Sequence, residues 1–252
     1  MALFTKPKTL ILDIETMMGK AHLWRMYEEV SNISMLIEPV TILCWAAKWA
    51  DEDYTYFDSV QRNSREGMLE NLWHLLDEAD VVVGWNSNRF DLRHINAEFF
   101  LMGMGPPSPY KKLDLQKSLA KNMKFMSNRL DYVADALGIG RKLEHGGLDL
   151  WFKCQRGDKK AWQTMEEYNI HDVELTEEVY FRSLPWLPQT VNRSILEGHV
   201  CPECGSSHLQ SRGLRHAATR VYTRWHCQSC GSWSQSVTSE KSPKAVLKKE
   251  AI

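Results

Sequence analysis

Five short runs of apolar and β-branched residues limit the folds open to this chain more than any other feature of its sequence. They are TLILDIE (9–15), VTILCWAAKW (40–49), DYTYFDS (53–59), DVVVGWN (80–86) and KKLDL (111–115). Runs of this length and composition are typical of β-strands. Apolar residues at helical spacing predict helices over 65–79, 90–104, 128–140 and 158–184. This order of elements predicts an α/β fold, with a mixed five-stranded sheet flanked by helices.

Two segments carry weaker signals. Residues 17–38 are Met-rich and mixed in character, and we predict only a helix and a loop there. LPWLPQ (184–189) is predicted to be a stiff linker, because its two prolines favour extended backbone. The predicted organisation is therefore a large domain over 1–187, a small domain over 199–234 and a basic, disordered tail over 235–252.

The composition of the 252 residues, 43% hydrophobic and 25% charged, is typical of a water-soluble globular protein. No apolar run approaches the roughly 20 residues that span a bilayer, and the first residues lack the pattern of a signal peptide. We therefore expect an intracellular protein without a membrane partner, whose six cysteines are thiols or metal ligands. Residues 199–252 hold eight Lys/Arg and three Asp/Glu, a charge of +5 in a chain of net charge −1. This asymmetry favours a polyanionic partner, although a solvated basic tail has the same composition.

The first predicted strand ends in two acidic residues, Asp13 and Glu15. Alternate residues of a strand share a face, so these carboxylates lie about 6.6 Å apart along one side, opposite Leu12 and Ile14. Two partly buried like charges repel each other unless a cation lies between them, and their oxygen atoms suit Mg²⁺ or Mn²⁺. In a chain with 32 acidic residues an Asp-x-Glu pair also occurs by chance, so the pair alone leaves both interpretations open.

Two further groups of polar residues lie on predicted elements. Asp91 follows Asn86 and Phe90 at the corner between the fourth strand and the next helix. On the late helix, Tyr168 and Asp172 are four residues apart and therefore share one face. Taken singly, Asp91 could be an acid that stabilises a helix N-terminus, Asn86 a turn residue, and the Tyr–Asp pair a surface contact.

In this order, the three groups resemble the motifs of the DEDD superfamily, the DnaQ-like 3′–5′ exonucleases of ribonuclease H-like fold. Asp13 and Glu15 match the first motif, Asn86, Phe90 and Asp91 the second, and Tyr168 and Asp172 the third. The tyrosine is similar to that of the DEDDy branch, which includes the proofreading domains of family B DNA polymerases. The histidine branch would need a histidine at position 167, which is Glu. The resemblance covers about residues 8–184 and implies a ribonuclease H-like sheet.

The resemblance implies a hydrolase that releases nucleoside 5′-monophosphates from a 3′ end, using two Mg²⁺ or Mn²⁺ ions about 3.5–4 Å apart. In the implied arrangement Asp13 contacts both ions, and Glu15 and Asp172 hold the ion that activates water. Asp91 supports the ion at the leaving group, directly or through water. Tyr168 orients the water and the phosphate, because a phenol with an ordinary pKa of about 10 is a poor base near neutrality.

Four of the six cysteines form two Cys-x-x-Cys pairs with 22 residues between them. Each pair is followed by a glycine, which the tight turn of a metal-binding knuckle favours. Four thiolates at this spacing predict a closed tetrahedral site for one Zn²⁺, and thus a small C-terminal zinc ribbon, at Cys201, Cys204, Cys227 and Cys230. A thioredoxin-like redox pair is the alternative, but it needs only one Cys-x-x-Cys on a helix.

The segment between the cysteine pairs is basic and contains aromatic residues but no acidic residue. Arginine and aromatic side chains suit contact with a nucleic-acid backbone and stacking on its bases. The candidate contacts of the ribbon are Arg212, Arg215, Arg220, Arg224 and Trp225, and those of the large domain are Asn86 and Phe90. The alternative is a ribbon that docks on the large domain or on a protein partner, with Trp225 and Trp233 as a minimal core.

We therefore expect a free-standing, metal-dependent 3′–5′ exonuclease whose zinc ribbon assists nucleic-acid binding, with DNA favoured over RNA and single strands favoured over duplexes. Because 252 residues leave no room for a polymerase region, a separate replication or repair protein such as a polymerase is the expected protein partner. A bacterial or phage source is expected, and the oligomeric state is left open. The alternatives are a ribonuclease H-like endonuclease and a nucleic-acid-binding protein without catalysis.

Overall fold

Two compact units are present in the computed structural model, which describes residues 7–25, 32–50, 52–144 and 146–239. Residues 8–179 form one unit, and the described residues from 180 onward belong to the second. Within the described part of the chain, no helix is both long and apolar enough to cross a membrane.

The larger unit is built on a mixed sheet. Its strands are β1 (Thr9–Met17), β2 (Lys20–Ala21), β3 (Leu36–Glu38), β4 (Thr41–Trp49), β5 (Thr55–Ser59), β6 (Val81–Gly84) and β7 (Lys111–Asp114). Five of them form one sheet in the order β5-β4-β1-β6-β7, where β4 is antiparallel to β1 and β5, and β6 is parallel to β1 and β7. The predicted α/β fold with a mixed five-stranded sheet is thus confirmed.

Helices connect and cover these strands. They are α1 (Arg65–Glu78), α2 (Asp91–Leu101), α3 (Leu115–Asn122), α4 (Leu130–Ala136), α5 (Leu148–Gln155) and α6 (Lys159–Ser183). The helices α1, α2, α4 and α6 were predicted, whereas α3 and α5 were not. The last residue of β7, Asp114, accepts a hydrogen bond from the Lys117 backbone N–H at 3.1 Å and so caps α3 directly. A strand that turns into a helix without a loop leaves no polar gap in the sequence to indicate the boundary.

The sheet is buried on both faces, and each face packs against different helices. On one face, Leu12 and Ile14 of β1 belong to a core cluster with Leu69 of α1 and Leu92 of α2. On the other face, a second cluster joins strand β4 to α5 and α6 through Leu43, Cys44, Leu150, Cys154, Trp162 and Met165. The odd-numbered positions of β1 after Ile11 therefore face α6, which is where the acidic residues Asp13 and Glu15 lie.

The predicted helix within 17–38 is not found in residues 17–25 or 32–38, and residues 26–31 lie outside the described part. Instead, β1 continues to Met17, and β2 pairs with β3 in a two-stranded antiparallel sheet after a 3₁₀ turn at Ile33–Met35. The His22 backbone N–H donates to the Met35 carbonyl at 2.8 Å. The described residues on either side of 26–31 thus form backbone hydrogen bonds between two strands.

The smaller unit contains a three-stranded antiparallel sheet in the order β10-β9-β8, made of β8 (Leu209–His216), β9 (Val221–Cys227) and β10 (Trp233–Gln235). A short helix, α7 (Ser194–Glu197), precedes this sheet, and a 3₁₀ turn at Leu184–Trp186 occupies the predicted linker. Residues 240–252 of the predicted tail lie outside the described residues. The domain bounds 1–187, 199–234 and 235–252 stay predictions.

Candidate active site and cysteine cluster

Three of the four predicted catalytic acids converge near the end of β1. Carboxylate oxygens of Asp13, Glu15 and Asp172 all lie within 4.8 Å of one another. Asp172 projects from α6 and is 1% exposed. A residue outside the three motifs joins them: the fully buried Asn169 of α6 donates its side-chain N–H to Asp13 Oδ2 at 2.7 Å. The helix therefore holds the strand at the point where the charges meet.

The fourth acid, Asp91, is adjacent to this cluster but does not belong to the three acids whose oxygens lie within 4.8 Å of one another. It is buried at the first turn of α2, and its Oδ1 accepts a hydrogen bond from the Ile14 backbone N–H at 3.1 Å. That N–H belongs to the residue between Asp13 and Glu15. Asp91 consequently fixes the backbone of the strand segment that carries the other two acids.

The corner between β6 and α2 carries the other second-motif residues. Asn86 has φ of 61°, in the left-handed region that asparagine tolerates better than most residues. Phe90 is 40% exposed, and its ring meets the His94 ring edge-on at 4.7 Å between centroids. The preceding turn is tight, because a Cβ at Gly84 would lie 2.6 Å from the Ser87 Cβ. The aromatic ring of Phe90 is thus partly presented to solvent.

A lysine outside the three motifs supplies positive charge to the site. Lys142 donates to Asp172 Oδ2 at 2.6 Å and to the Tyr168 hydroxyl at 3.2 Å. Its own backbone N–H donates to Asp131 Oδ1 at 3.0 Å, so an acid at the start of α4 holds the loop that carries Lys142. His171, in contrast, has its Nε2 at 2.8 Å from the Arg141 carbonyl and does not join the acids.

The acids cannot all be ionised near neutrality without a compensating cation. Burial raises the pKa of Asp13 well above its usual range, and the charges of Asp91 and Glu15 raise it further. Burial, with the charge of Asp172, raises the pKa of Glu15 to about 8, and burial raises the pKa of Asp91 to about 6. The pKa of Asp172 is also raised by burial, against the opposing effect of Lys142. The single ammonium of Lys142 is therefore not enough positive charge to keep all four carboxylates ionised.

The donor set fits a divalent cation. Asp172 Oδ1 is buried and has no hydrogen-bond partner among the described residues, which is costly unless a cation or water contacts it. Clustered carboxylate oxygens are the ligands that Mg²⁺ and Mn²⁺ prefer. Asp13, Glu15 and Asp172 could therefore hold such an ion, with Asp91 adjacent to it.

Replacing Lys142 with glutamine is expected to tighten Mn²⁺ binding about tenfold, because the ammonium at Asp172 repels a cation at the same oxygens. Titration calorimetry would measure the affinity. Lys153→Gln is the matched control, since Lys153 pairs with Asp149 at 2.6 Å on the surface of α5. An affinity that is unchanged or weaker in Lys142→Gln would contradict the competition between the ammonium and the metal.

The four cysteines of the smaller unit form a second cluster, with their Sγ atoms within 4.8 Å of one another. The Sγ atoms of Cys201 and Cys230 are 3.7 Å apart, as are those of Cys204 and Cys227. Zn–S bonds of about 2.3 Å in a tetrahedron give S···S distances of about 3.8 Å, whereas a disulfide would give about 2.05 Å. The cluster is therefore compatible with a zinc ribbon and excludes disulfides among these pairs in this geometry.

The two cysteine pairs have matching turns. In the first, the Gly205 N–H donates to the Cys201 carbonyl at 2.9 Å, and in the second the Gly231 N–H donates to the Cys227 carbonyl at 3.1 Å. Both glycines have positive φ, of 75° and 80°. Side chains with a Cβ are disfavoured in this conformation, which explains a glycine after each pair.

The predicted contacts of the ribbon are spread over its sheet. Arg212 and Arg215 lie on β8, Arg224 and Trp225 on β9, and Arg220 in the turn between these strands. All four arginines are exposed, whereas Trp225 is half-buried and packs its ring edge-on against His199 at 4.5 Å.

Sequence comparison identifies the larger unit. The RNase_H_2 family model, described as RNase_H superfamily, matches residues 40–183, which is more than half of the chain. The chain belongs to the RNase_H superfamily. The matched part of this RNase_H superfamily domain contains Asp91, Tyr168 and Asp172, while Asp13 and Glu15 precede it. Membership supports a nuclease activity in general, and with it a nucleic-acid substrate.

Structure comparison relates the RNase_H superfamily chain to a polymerase. It is similar to the family B DNA polymerase from the hyperthermophilic archaeon Pyrobaculum calidifontis, with a TM-score of 0.50 and 17% sequence identity. The similarity covers 86% of this chain and 32% of the polymerase chain, so this chain spans about a third of that protein's length. At this identity the likeness shows a shared fold alone. No curated protein matches the chain.

Proposed function

We propose that this protein is a DEDDy-type, metal-dependent 3′–5′ exonuclease. The observation that carries the proposal is the convergence of Asp13, Glu15 and Asp172 within 4.8 Å, with the Tyr168 hydroxyl sharing the Lys142 ammonium with Asp172. Asp91 supports the same strand. A protein that only bound nucleic acid would gain nothing from acidic side chains facing phosphates, so this arrangement favours catalysis over simple binding.

In this proposal Asp13, Glu15 and Asp172 hold two Mg²⁺ or Mn²⁺ ions, with Asp91 supporting the second. When bound, the ions supply the positive charge that favours hydroxide over water and stabilises the leaving alkoxide of the phosphodiester. Asn169 keeps Asp13 oriented through its hydrogen bond to Oδ2. The carboxylates therefore need to be ionised together only when metal is present, which couples the charge state of the site to metal binding.

Tyr168 acts as a hydrogen-bond donor in this scheme. Burial, together with the charge of Asp172, raises the pKa of Tyr168 above its usual range, so the phenol keeps its proton throughout the physiological pH range. Its oxygen accepts a hydrogen bond from Lys142, and the hydroxyl is also hydrogen-bonded to Asp172. In this scheme a metal bound at Asp172 takes over that carboxylate, and the phenol then donates to a phosphate oxygen or to water. The residue orients the reacting groups and does not remove a proton.

DNA, and single-stranded DNA first, is the substrate that we favour. The fold shared with a DNA polymerase supports DNA, and the exposed arginines of the ribbon support a nucleic-acid contact outside the acidic group. We propose that the chain comprises a nuclease domain over 1–187 and a zinc ribbon over 199–234, and that a separate polymerase or repair protein is a partner.

The proposal is tested with oligonucleotides of single-stranded DNA and RNA that carry a label at the 5′ end, incubated with Mg²⁺ or Mn²⁺. Progressive shortening from the 3′ end, with nucleoside 5′-monophosphates as products, is the expected result. Discrete internal cuts would instead indicate an endonuclease, and an intact, retarded substrate would indicate a binding protein. The same oligonucleotides labelled at the 3′ end should lose their label in the first step of degradation.

A further inference from the structure

The strand register of the ribbon divides its side chains between two faces. Arg224 pairs with Gln235 of β10, and Tyr222 pairs with Arg215 of β8, so these residues share one face with Trp233, the partner of His226. We refer to Arg215, Tyr222, Arg224, Trp233 and Gln235 as the Trp233 face. Trp225 and Leu214, being one position out of step with Arg224 and Arg215, lie on the opposite face.

The Trp233 face combines an exposed indole with two guanidinium groups. Trp233 is 57% exposed, and the Arg224 guanidinium carbon lies 5.8 Å from the centre of its ring. The His226 ring is tilted against the same indole at 4.6 Å between centroids. Arg215 donates to the side chain of Gln235, which places a second guanidinium beside the indole. A shallow cavity of about 440 Å³ is lined by Arg215, Arg224, Trp233, Ser234 and Gln235.

The charge of this face is uncompensated by acidic residues of the ribbon sheet. Between positions 205 and 239 the chain contains four arginines and no aspartate or glutamate. The ligand that such a face fits is an anion with flat apolar groups at regular intervals. Single-stranded nucleic acid has this chemistry, whereas in a duplex the base faces are stacked on each other and cannot reach an indole.

We propose that the Trp233 face binds single-stranded nucleic acid, with a base stacked on Trp233 and phosphates neutralised by Arg215 and Arg224. This inference rests on the proposed nuclease function for the identity of the ligand. It assigns the stacking to Trp233 rather than to Trp225, whose ring is half-buried against His199 on the opposite face. Ligand binding thereby explains why Trp233 is exposed beside two arginines, whereas a purely structural role would not require this exposure.

The test uses full-length, zinc-loaded protein carrying Asp13→Asn, so that the substrate stays intact, without added Mg²⁺ or Mn²⁺. Fluorescence anisotropy of a 20-nucleotide oligo(dT) gives the affinity at several salt concentrations. Trp233→Ala is expected to weaken binding about tenfold, and Trp233→Phe to restore most of it, because a phenyl ring still stacks. Arg224→Gln is expected to reduce the slope of log K against log salt by about 0.7, the value for one phosphate.

Leu214→Ala is the matched control, since it shortens an exposed apolar side chain on the opposite face. It should leave the affinity unchanged, and zinc content verifies that each ribbon is folded. Equal affinity of Trp233→Ala and its parent, or an equal loss in Leu214→Ala, would overturn the inference. The inference would also be overturned if Trp233→Ala bound a poly-glutamate peptide more weakly than its parent but bound oligo(dT) equally well. That result would assign the Trp233 face to an acidic protein. Nuclease assays on the wild type are separate: failure there contradicts only the proposed function.

Discussion

Asp13→Asn is expected to lower the rate of phosphodiester hydrolysis at least about 1000-fold, because a divalent ion supplies several kcal/mol of transition-state stabilisation that this carboxylate holds in place. The substitution keeps the shape of the side chain and an oxygen that can accept the hydrogen bond from Asn169. The fold should therefore survive. Initial rates on a 5′-labelled oligonucleotide, at saturating Mg²⁺, give the measurement.

The same substitution is expected to stabilise the metal-free protein. Burial raises the pKa of Asp13 in the folded state above its pKa of about 4 in the unfolded chain. As the pH rises above that lower pKa, the carboxyl ionises more readily in the unfolded chain, and the folded state loses stability. Asparagine removes that cost at neutral pH, and each kcal/mol gained should raise Tm by about 2–4 °C. Asp149→Asn is the control, because Asp149 lies on the surface of α5 with a side chain that is 59% exposed. Full activity in Asp13→Asn, or a lower Tm without metal, would contradict the proposed role.

Cys227→Ser is expected to abolish zinc binding and to unfold the ribbon. Across residues 199–239 the residues classed as buried are Cys201, Cys227 and Ser232, so no aliphatic or aromatic side chain forms a core there. Structural zinc contributes about 10–16 kcal/mol in small domains of this kind, and the remaining contacts cannot replace it. Metal analysis should fall from one zinc per chain to none.

Limited trypsin digestion would then report the unfolding, since cleavage after the arginines of β8 and β9 should become rapid. Cys154→Ala serves as the control, because Cys154 is buried in the core between the sheet and α5 and takes no part in the cysteine cluster. It should keep one zinc and a resistant ribbon. Retention of zinc by Cys227→Ser, or unchanged resistance to trypsin, would show that the cysteines do not hold the ribbon together.

The convergence of the acids in the candidate site could be predicted because they follow regular side-chain periods. Asp13 and Glu15 share a face of β1 by the two-residue period of a strand, and Tyr168 and Asp172 share a face of α6 by helical spacing. Those periods also explain why a carboxylate lies on the buried stripe of α6, since that stripe meets β1 where its acids emerge. Chemistry that depends on periodic spacing is visible in a sequence.

Lys142 could not be predicted in this way. It lies in an irregular loop, and its position depends on a hydrogen bond to Asp131, eleven residues earlier, that no periodicity indicates. Asn169 left a weak signal, because an asparagine inside a helix and on its buried face is unfavourable unless its amide has a partner. The choice between Trp225 and Trp233 depended on the pairing register of β9 with β10, which the spacing of the cysteines does not specify.

Because side chains alternate between the two faces of β1, the strand should not tolerate the insertion of a single residue. One residue inserted before Asp13 would turn Asp13 towards Leu69 and Leu92, and would bring an aliphatic side chain into the acidic group. A single insertion there would therefore damage the core and the candidate metal ligands in one step. Insertions of the same size in the surface loop at residues 103–110 would alter neither face of β1. Because alternate residues of β1 serve the core and the acidic group, tolerance to insertion should change abruptly at the first residue of this strand.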